Sequence, residues 1–291
     1  PRRTWGSRPE LYDYLKSHPM TGRWREDVIR DVVAHEATEL TNGRLDMKWS
    51  PDSMKWSERA GDYLDLKPIW ASQWGPLIAL HFGNPSTSLE TQLSPLLEAF
   101  AADPFENVQF VRRVTYQVEC NWKVFVDNYL DGGYHVAHVH PGLTGQLDIA
   151  SYSSTLGEQW SMQSCAAASS LGIDSSADFA QRVGQHADYA WIYPNFMINR
   201  YGPWMDTNAV IPLSADRCLI VFDYYHEGPP ETDFLEQSLT ASDQVQQEDI
   251  EICHRVQAGL DSGVYEQGVY APGFEAPMLH FHRLLHADFQ V

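Results

Sequence analysis

The stretch 120–140, CNWKVFVDNYLDGGYHVAHVH, restricts this chain more than any other. His135 and His140 stand five positions apart, which on a straight helix turns them roughly 140° from one another. Such a helix could not aim both at one ion. Pro141 follows His140, and the residue before a proline is biased away from helical geometry. The helix is therefore expected to end after His135, with His140 returning from an irregular segment. His135 and His138, at i and i+3, would suit an unbroken helix instead, and spacing leaves that pair open. Asp131 lies one turn before His135, where a carboxylate can hold the second imidazole nitrogen and fix its tautomer. A solvent-facing helix carboxylate is the ordinary alternative. Asn128, a further turn back, is available for hydrogen bonding at the same place.

Two histidines and one carboxylate, with positions left open, make the facial triad of non-haem iron(II) oxygenases. The carboxylate must come from elsewhere. In LEQSLTASDQVQQEDIEICHRVQAGL (235–260) a helical projection aligns Leu235, Leu239, Ile250, Cys253, Val256 and Leu260 as an inward stripe. Asp249 falls within that stripe and Glu248 toward its edge. A carboxylate on a buried face is costly unless it is paired or binds metal. Asp249 is the better third ligand.

Composition narrows the setting. With 39 acidic and 20 basic residues the net charge is −19, which argues against a nucleic-acid partner. No apolar run approaches the ~20 residues that span a bilayer, and the N-terminus lacks the apolar core of a secretory signal. A cytoplasmic setting is expected. Cys120, Cys165, Cys218 and Cys253 read as buried thiols of a reducing compartment. None begins the CxH or CxxH pattern of a Rieske two-iron cluster, which takes two cysteines and two histidines.

Residues 1–60 are polar and weakly patterned, with a short helix expected at 26–40. From Tyr63 the texture changes, with a domain boundary expected at 60/61. Runs at 77–82, 108–119, 189–194, 207–212 and 218–225 are β-branched and aromatic, bounded by Gly, Pro, Asn or Asp. Helices are expected at 88–102, around 121–136 and at 231–260. Strands outnumber helices without regular alternation, which predicts an α+β domain built on an antiparallel sheet.

Several separated blocks resemble the catalytic domain of the Rieske-type non-haem iron oxygenases, and among them the choline monooxygenases. NWKVFVDNYLDGGYHV (121–136) is similar to their metal segment. WIYPNFMINRYGPWMDTN (191–208), SDQVQQEDIEICHRVQAGLDS (242–262) and HFHRLLH (280–286) resemble later blocks, and WGPLIAL (74–80) the first strand. The resemblance implies a helix-grip domain over 61–291, with a sheet folded around a long helix, assembled as a trimer. It implies mononuclear Fe(II) at His135, His140 and Asp249, with Asp131 linking an iron histidine to a neighbouring cluster. Many relatives carry that acid three residues before the first histidine; here Gly132 fills that slot and Asp131 stands four before. Residues 1–60 do not resemble a complete Rieske domain. The [2Fe-2S] cluster is therefore expected from a partner or a missing domain, served by a ferredoxin or reductase protein in a homotrimer or hetero-oligomer.

The expected reaction is O2-dependent hydroxylation of a carbon next to a quaternary or tertiary nitrogen. The alternatives are N-demethylation of glycine betaine, carnitine or another N-methyl compound, or a non-catalytic subunit of an oxygenase complex. Aromatic faces hold quaternary ammonium groups. Tyr193, Phe196, Tyr201 and Trp204 are candidates for such a cage, with Asp206 adding charge, although aromatic runs of this kind more often pack in a core. Catalytic roles fall to Asp131 and Asn128. His280, His282 and His286 read as structural.

Overall fold

The computed structural model describes residues 4–18, 21–35, 37–47, 69–82, 87–102, 104–140, 147–168 and 184–290. The chain divides into two compact units, Pro1–Pro68 and Ile69–Val291, so the boundary expected at 60/61 falls eight residues later.

In the first unit, α1 (Arg8–Ser17) is capped by Ser7, whose side chain accepts from the Glu10 amide. It and α2 (Glu26–His35) bury Leu11, Leu15, Ile29 and Val33, each pair one turn apart on a helix face. Trp5, Leu45 and Met47 complete this small core. The helix expected to 40 stops at His35. Beyond it, β1 (Ala37–Glu39) pairs antiparallel with β2 (Leu45–Met47) around a turn in which Gly43 has φ +76°.

The second unit opens with a hairpin, β3 (Ile69–Trp74) and β4 (Leu77–Phe82), followed by α3 (Leu89–Ala99). A long strand, β5 (Val108–Val118), leads into α4 (Trp122–Leu130) and α5 (Gly133–Val139). Six strands follow: β6 (Ser153–Leu156), β7 (Trp160–Ala166), β8 (His186–Ile192), β9 (Phe196–Tyr201), β10 (Trp204–Ser214) and β11 (Arg217–Glu227). The chain ends in α6 (Thr232–Asp261) and α7 (Ala276–Asp288).

Seven of the strands form one antiparallel sheet in the order β5-β11-β10-β9-β8-β7-β6. Both faces are buried, as alternate side chains reveal. Trp191, Met197, Trp204 and Tyr224 enter one core with Val124, Phe125, Cys253 and Phe281 from α4, α6 and α7. Their strand neighbours Ala190, Ile198, Met205 and Tyr225 enter a second core with Leu93 and Leu96 of α3. The site belongs to the first face, where α4, α5 and α6 lie over the sheet. The inward stripe expected of α6 runs too far: Val256 and Leu260 are exposed, while Ser238, Gln246 and Cys253 are buried. Cys120, Cys165, Cys218 and Cys253 are all free and buried. Among the described residues no helix is long and apolar enough to cross a membrane.

Candidate metal centre

The segment that carries the histidines folds as two short helices, not one. Asn121 caps α4 by accepting from the Lys123 amide at 3.0 Å. The helix ends at Asp131, and Gly132 turns the chain with φ +92° and ψ −177°, a region essentially reserved for glycine that costs other residues about 1–3 kcal/mol. A Cβ on Gly132 would lie 2.7 Å from the Phe274 carbonyl oxygen, and one on Gly133 would meet the Tyr152 ring at 2.7 Å. Two glycines are needed here for space as well as for conformation. An additional break therefore comes before His135, while the helix end expected between His135 and His140 falls after Val139. His135 lies inside α5, and His140 is that helix's C-cap with non-helical backbone, φ −111° and ψ 78°. Pro141, to which the change of direction was ascribed, lies outside the described residues. His138 is exposed and takes no part.

This geometry brings three donors together. His135 Nε2 lies 3.0 Å from His140 Nε2 and 3.1 Å from Asp249 Oδ1, and His140 Nε2 lies 3.3 Å from that same oxygen. Ligands about 2.0–2.2 Å from an ion and at right angles to one another stand roughly 3.0 Å apart, so the spacing suits one face of an octahedral site. The two histidines are buried, and the Asp249 side chain is 16% exposed. Behind each imidazole stands a carboxylate: Asp131 Oδ2 is 2.9 Å from His135 Nδ1, and Glu248 Oε2 is 2.8 Å from His140 Nδ1. Gln244 donates to the other oxygen of Glu248 at 2.9 Å. Asn128 Nδ2 donates to Asp249 Oδ1 at 2.8 Å. Sequence reasoning placed Glu248 at the edge of the stripe and missed this role, because helix periodicity carries no information about the loop that delivers His140.

The electrostatics also fit a cation. Burial, joined by the negative charges of Asp249 and Glu275, lifts the Asp131 carboxyl to about 6 despite its histidine partner. Burial pulls the His135 imidazole down, but Asp131 and Asp249 outweigh it and carry it to about 9. His140 shifts upward in the same way, against burial, through Asp249 and Glu248. Burial would raise Asp249, yet the two histidines hold it down at about 2. Three carboxylates surround two imidazoles whose Nε2 atoms face each other. Two protons there would sit as like charges 3.0 Å apart, whereas a single divalent ion replaces both. The donor set therefore fits mononuclear iron.

Beside the donors opens a cavity of about 170 Å³. Phe125, Tyr129, Tyr152, Tyr189, Tyr201 and Phe222 supply its aromatic walls. Asp206, 3% exposed, also faces it. Its carboxylate accepts from Asn199 at 2.7 Å, Tyr201 at 2.8 Å and Asn208 at 3.0 Å. Of the expected cage residues, Tyr201 and Asp206 line this space, and Tyr193, Phe196 and Trp204 do not. Tyr193 bonds to Asp288 and packs on Trp191 and Phe281. Phe196 joins the core on the far face of the sheet, and Trp204 is buried against His226 and Phe234. Strand alternation accounts for Phe196, which faces away from Tyr201 on β9; Trp204 shares the face of Tyr201 and Asp206 but packs against its neighbours there instead of lining the cavity. None of the three C-terminal histidines reaches the site: His282 pairs with Asp127 and Tyr270, and His286 with Gln290. His280 contacts Trp191 edge-on.

Residues 105–288 match the family model for the ring hydroxylating alpha subunit, catalytic domain. The chain is 43% identical over 244 residues to the chloroplastic choline monooxygenase of Arabidopsis thaliana, covering 78% of this chain and 56% of that protein. It is 28% identical to the carnitine monooxygenase oxygenase subunit of Escherichia coli K12, covering 77% of this chain and 62% of that subunit. The chain thus spans little more than half the length of these relatives. A solved quaternary ammonium Rieske monooxygenase, 22% identical, superposes on 77% of this chain and 62% of its own with TM-score 0.64. The naphthalene 1,2-dioxygenase of a Rhodococcus species, 15% identical, shares the fold at TM-score 0.55 over 76% of this chain and 66% of its own.

Proposed function

This chain belongs to the ring hydroxylating alpha subunit family, as its catalytic domain, and on that premise we propose that it is the oxygenase unit of a monooxygenase for small quaternary ammonium compounds such as choline. The observation that carries this reading is the buried His135, His140 and Asp249 donor set opening onto an aromatic cavity with a carboxylate in its wall. The choline and carnitine monooxygenases among its relatives support the substrate class.

Iron bound by the three donors would supply dioxygen activation. The remaining chemistry belongs to the chain. Aromatic faces attract a quaternary ammonium without hydrogen bonds, at about 0.5–2 kcal/mol per well-placed ring, and Asp206 adds charge complementarity. Asp131 and Glu248 hold the imidazoles in the tautomer that leaves each Nε2 free to bind metal. Asn128 fixes the orientation of Asp249. The Asp131 side chain is 16% exposed and joins His135 to the protein surface. It is the natural point of arrival for two electrons from a Rieske-bearing partner or from the rest of a longer protein. Inter-subunit electron transfer described for the solved quaternary ammonium monooxygenase supports an oligomer. The chloroplastic relatives support a plastid setting.

With choline the reaction balances as R–CH2OH + O2 + 2e⁻ + 2H⁺ giving R–CH(OH)2 + H2O. The carbon oxidised there is the carbinol carbon, one bond further from nitrogen than the position expected from sequence. Hydrogen peroxide carries both the oxygen and the two electrons, so it tests the site without any cluster. Iron-loaded chain given choline and peroxide should yield betaine aldehyde hydrate, detected by mass spectrometry, and His135→Ala should yield none. Product formation equal in both proteins would sink the reading.

A further inference from the structure

Two polar atoms on side chains that line the cavity find no partner among the described residues. Asn128 spends Nδ2 on Asp249, which fixes its amide, and its Oδ1 is buried without a hydrogen bond. Gln246 is 3% exposed, and its Nε2 is likewise buried and unpartnered. Buried polar atoms are nearly always satisfied, so such orphans call for a partner that binds. One of these is an acceptor and the other a donor. A hydroxyl group serves both at once, donating its proton to Asn128 Oδ1 and accepting from Gln246 Nε2.

Both residues sit at the metal end of the cavity. Asn128 touches Asp249 directly. Gln246 stands one turn before Asp249 on α6, and Ser242, Val245, Gln246 and Asp249 follow the i, i+3, i+4, i+7 pattern of a single helix face, all lining the cavity. Asp206 comes instead from β10 in the sheet. No lysine or arginine lines the cavity among the described residues. A substrate carboxylate would meet Asp206 with no cation to receive it, and like charges disfavour such a ligand.

We infer that Asn128 and Gln246 bind the hydroxyl of a short ammonium alcohol, while Asp206 and the aromatic walls hold its cationic end. This deepens the function proposed above and depends on it. The orientation turns the hydroxyl-bearing carbon, and not an N-methyl group, toward the metal donors. It favours alcohol oxidation over N-demethylation, and it excludes zwitterions such as glycine betaine and carnitine as preferred ligands.

The test is calorimetric binding to the full chain, loaded with iron(II) and kept anaerobic. The probes are choline, ethyltrimethylammonium (the same cation without a hydroxyl), 3,3-dimethylbutan-1-ol (the hydroxyl without charge) and glycine betaine. Choline should bind about 10- to 100-fold more tightly than each of the others. Gln246→Leu should abolish the preference of choline over ethyltrimethylammonium while leaving the affinity of the latter in place. Asp206→Asn should weaken both ammonium probes alike. Equal binding of choline and ethyltrimethylammonium to the unaltered chain would overturn the hydroxyl assignment and leave the quaternary ammonium reading standing. Binding of neither ammonium probe would overturn that reading, and the assignment with it. The unaltered chain decides both points even if a variant fails to fold.

Discussion

Asp131 and Glu248 act on the metal donors without belonging to them. Each fixes one imidazole at its Nδ1 and so decides which nitrogen faces the cavity. Removing such a partner typically costs about 10- to 100-fold in metal affinity. Glu248→Ala is expected to weaken iron(II) binding by that factor in a chelator competition, with no loss of folded structure by circular dichroism. The same carboxylates give metal binding a pH dependence whose sign is fixed. Burial opposes protonation of His135, but Asp131 and Asp249 hold it to about 9, so at pH 7 the metal-free imidazole carries a proton that iron must displace. Iron uptake at pH 7 should therefore release protons into a weakly buffered dye solution. Affinity should fall as pH is lowered and level off once pH passes 9. Asp131→Asn removes one of the groups that raise His135, and should reduce the number of protons released. Uptake without proton release would show that the imidazoles are neutral before metal binds.

At the scale of elements, the break between α4 and α5 is what makes the site. Gly132 holds φ +92° and its Cα faces the Phe274 carbonyl, so no other residue fits without displacement. Gly132→Ala should lower stability by about 1–3 kcal/mol or more and weaken iron binding together, measured by urea unfolding and metal titration. A variant with unchanged stability and iron affinity would mean that the turn is not needed. Donor chemistry and periodicity together pointed to Asp131 and Asp249, whereas His135 and His140 were suggested by donor chemistry alone, since straight-helix periodicity parts them; the fold brings all four side chains together. The helix end between His135 and His140 was legible, but the earlier break at Gly132 was not, because a pair of glycines inside an apolar run carries no periodic signal. The cage was half legible: Tyr201 and Asp206 face the cavity, but a cluster of aromatics in sequence says nothing about which sheet face each one takes. Tyr129, Tyr152 and Tyr189 come from separate elements and meet only through the fold. The antiparallel sheet was legible in kind, and β5, β10 and β11 in position. β6, β7 and α7 lacked a strong periodic signal and drew their stability from packing.

For the whole molecule, the second unit carries the two large cores on the faces of the seven-stranded sheet, that sheet itself and every described residue of the site. A chain beginning at Ile69 should unfold cooperatively and bind iron with the stoichiometry of the full chain. Loss of binding on that truncation would mean that the first unit contributes to the centre. The central claim is that His135, His140 and Asp249 form a mononuclear iron site, and the most direct measurement is iron and acid-labile sulfide per chain after anaerobic reconstitution with iron(II). About one iron without sulfide, abolished by His135→Ala, is the predicted result. Absence of iron from the reconstituted protein, or equal iron in the variant, would contradict the account.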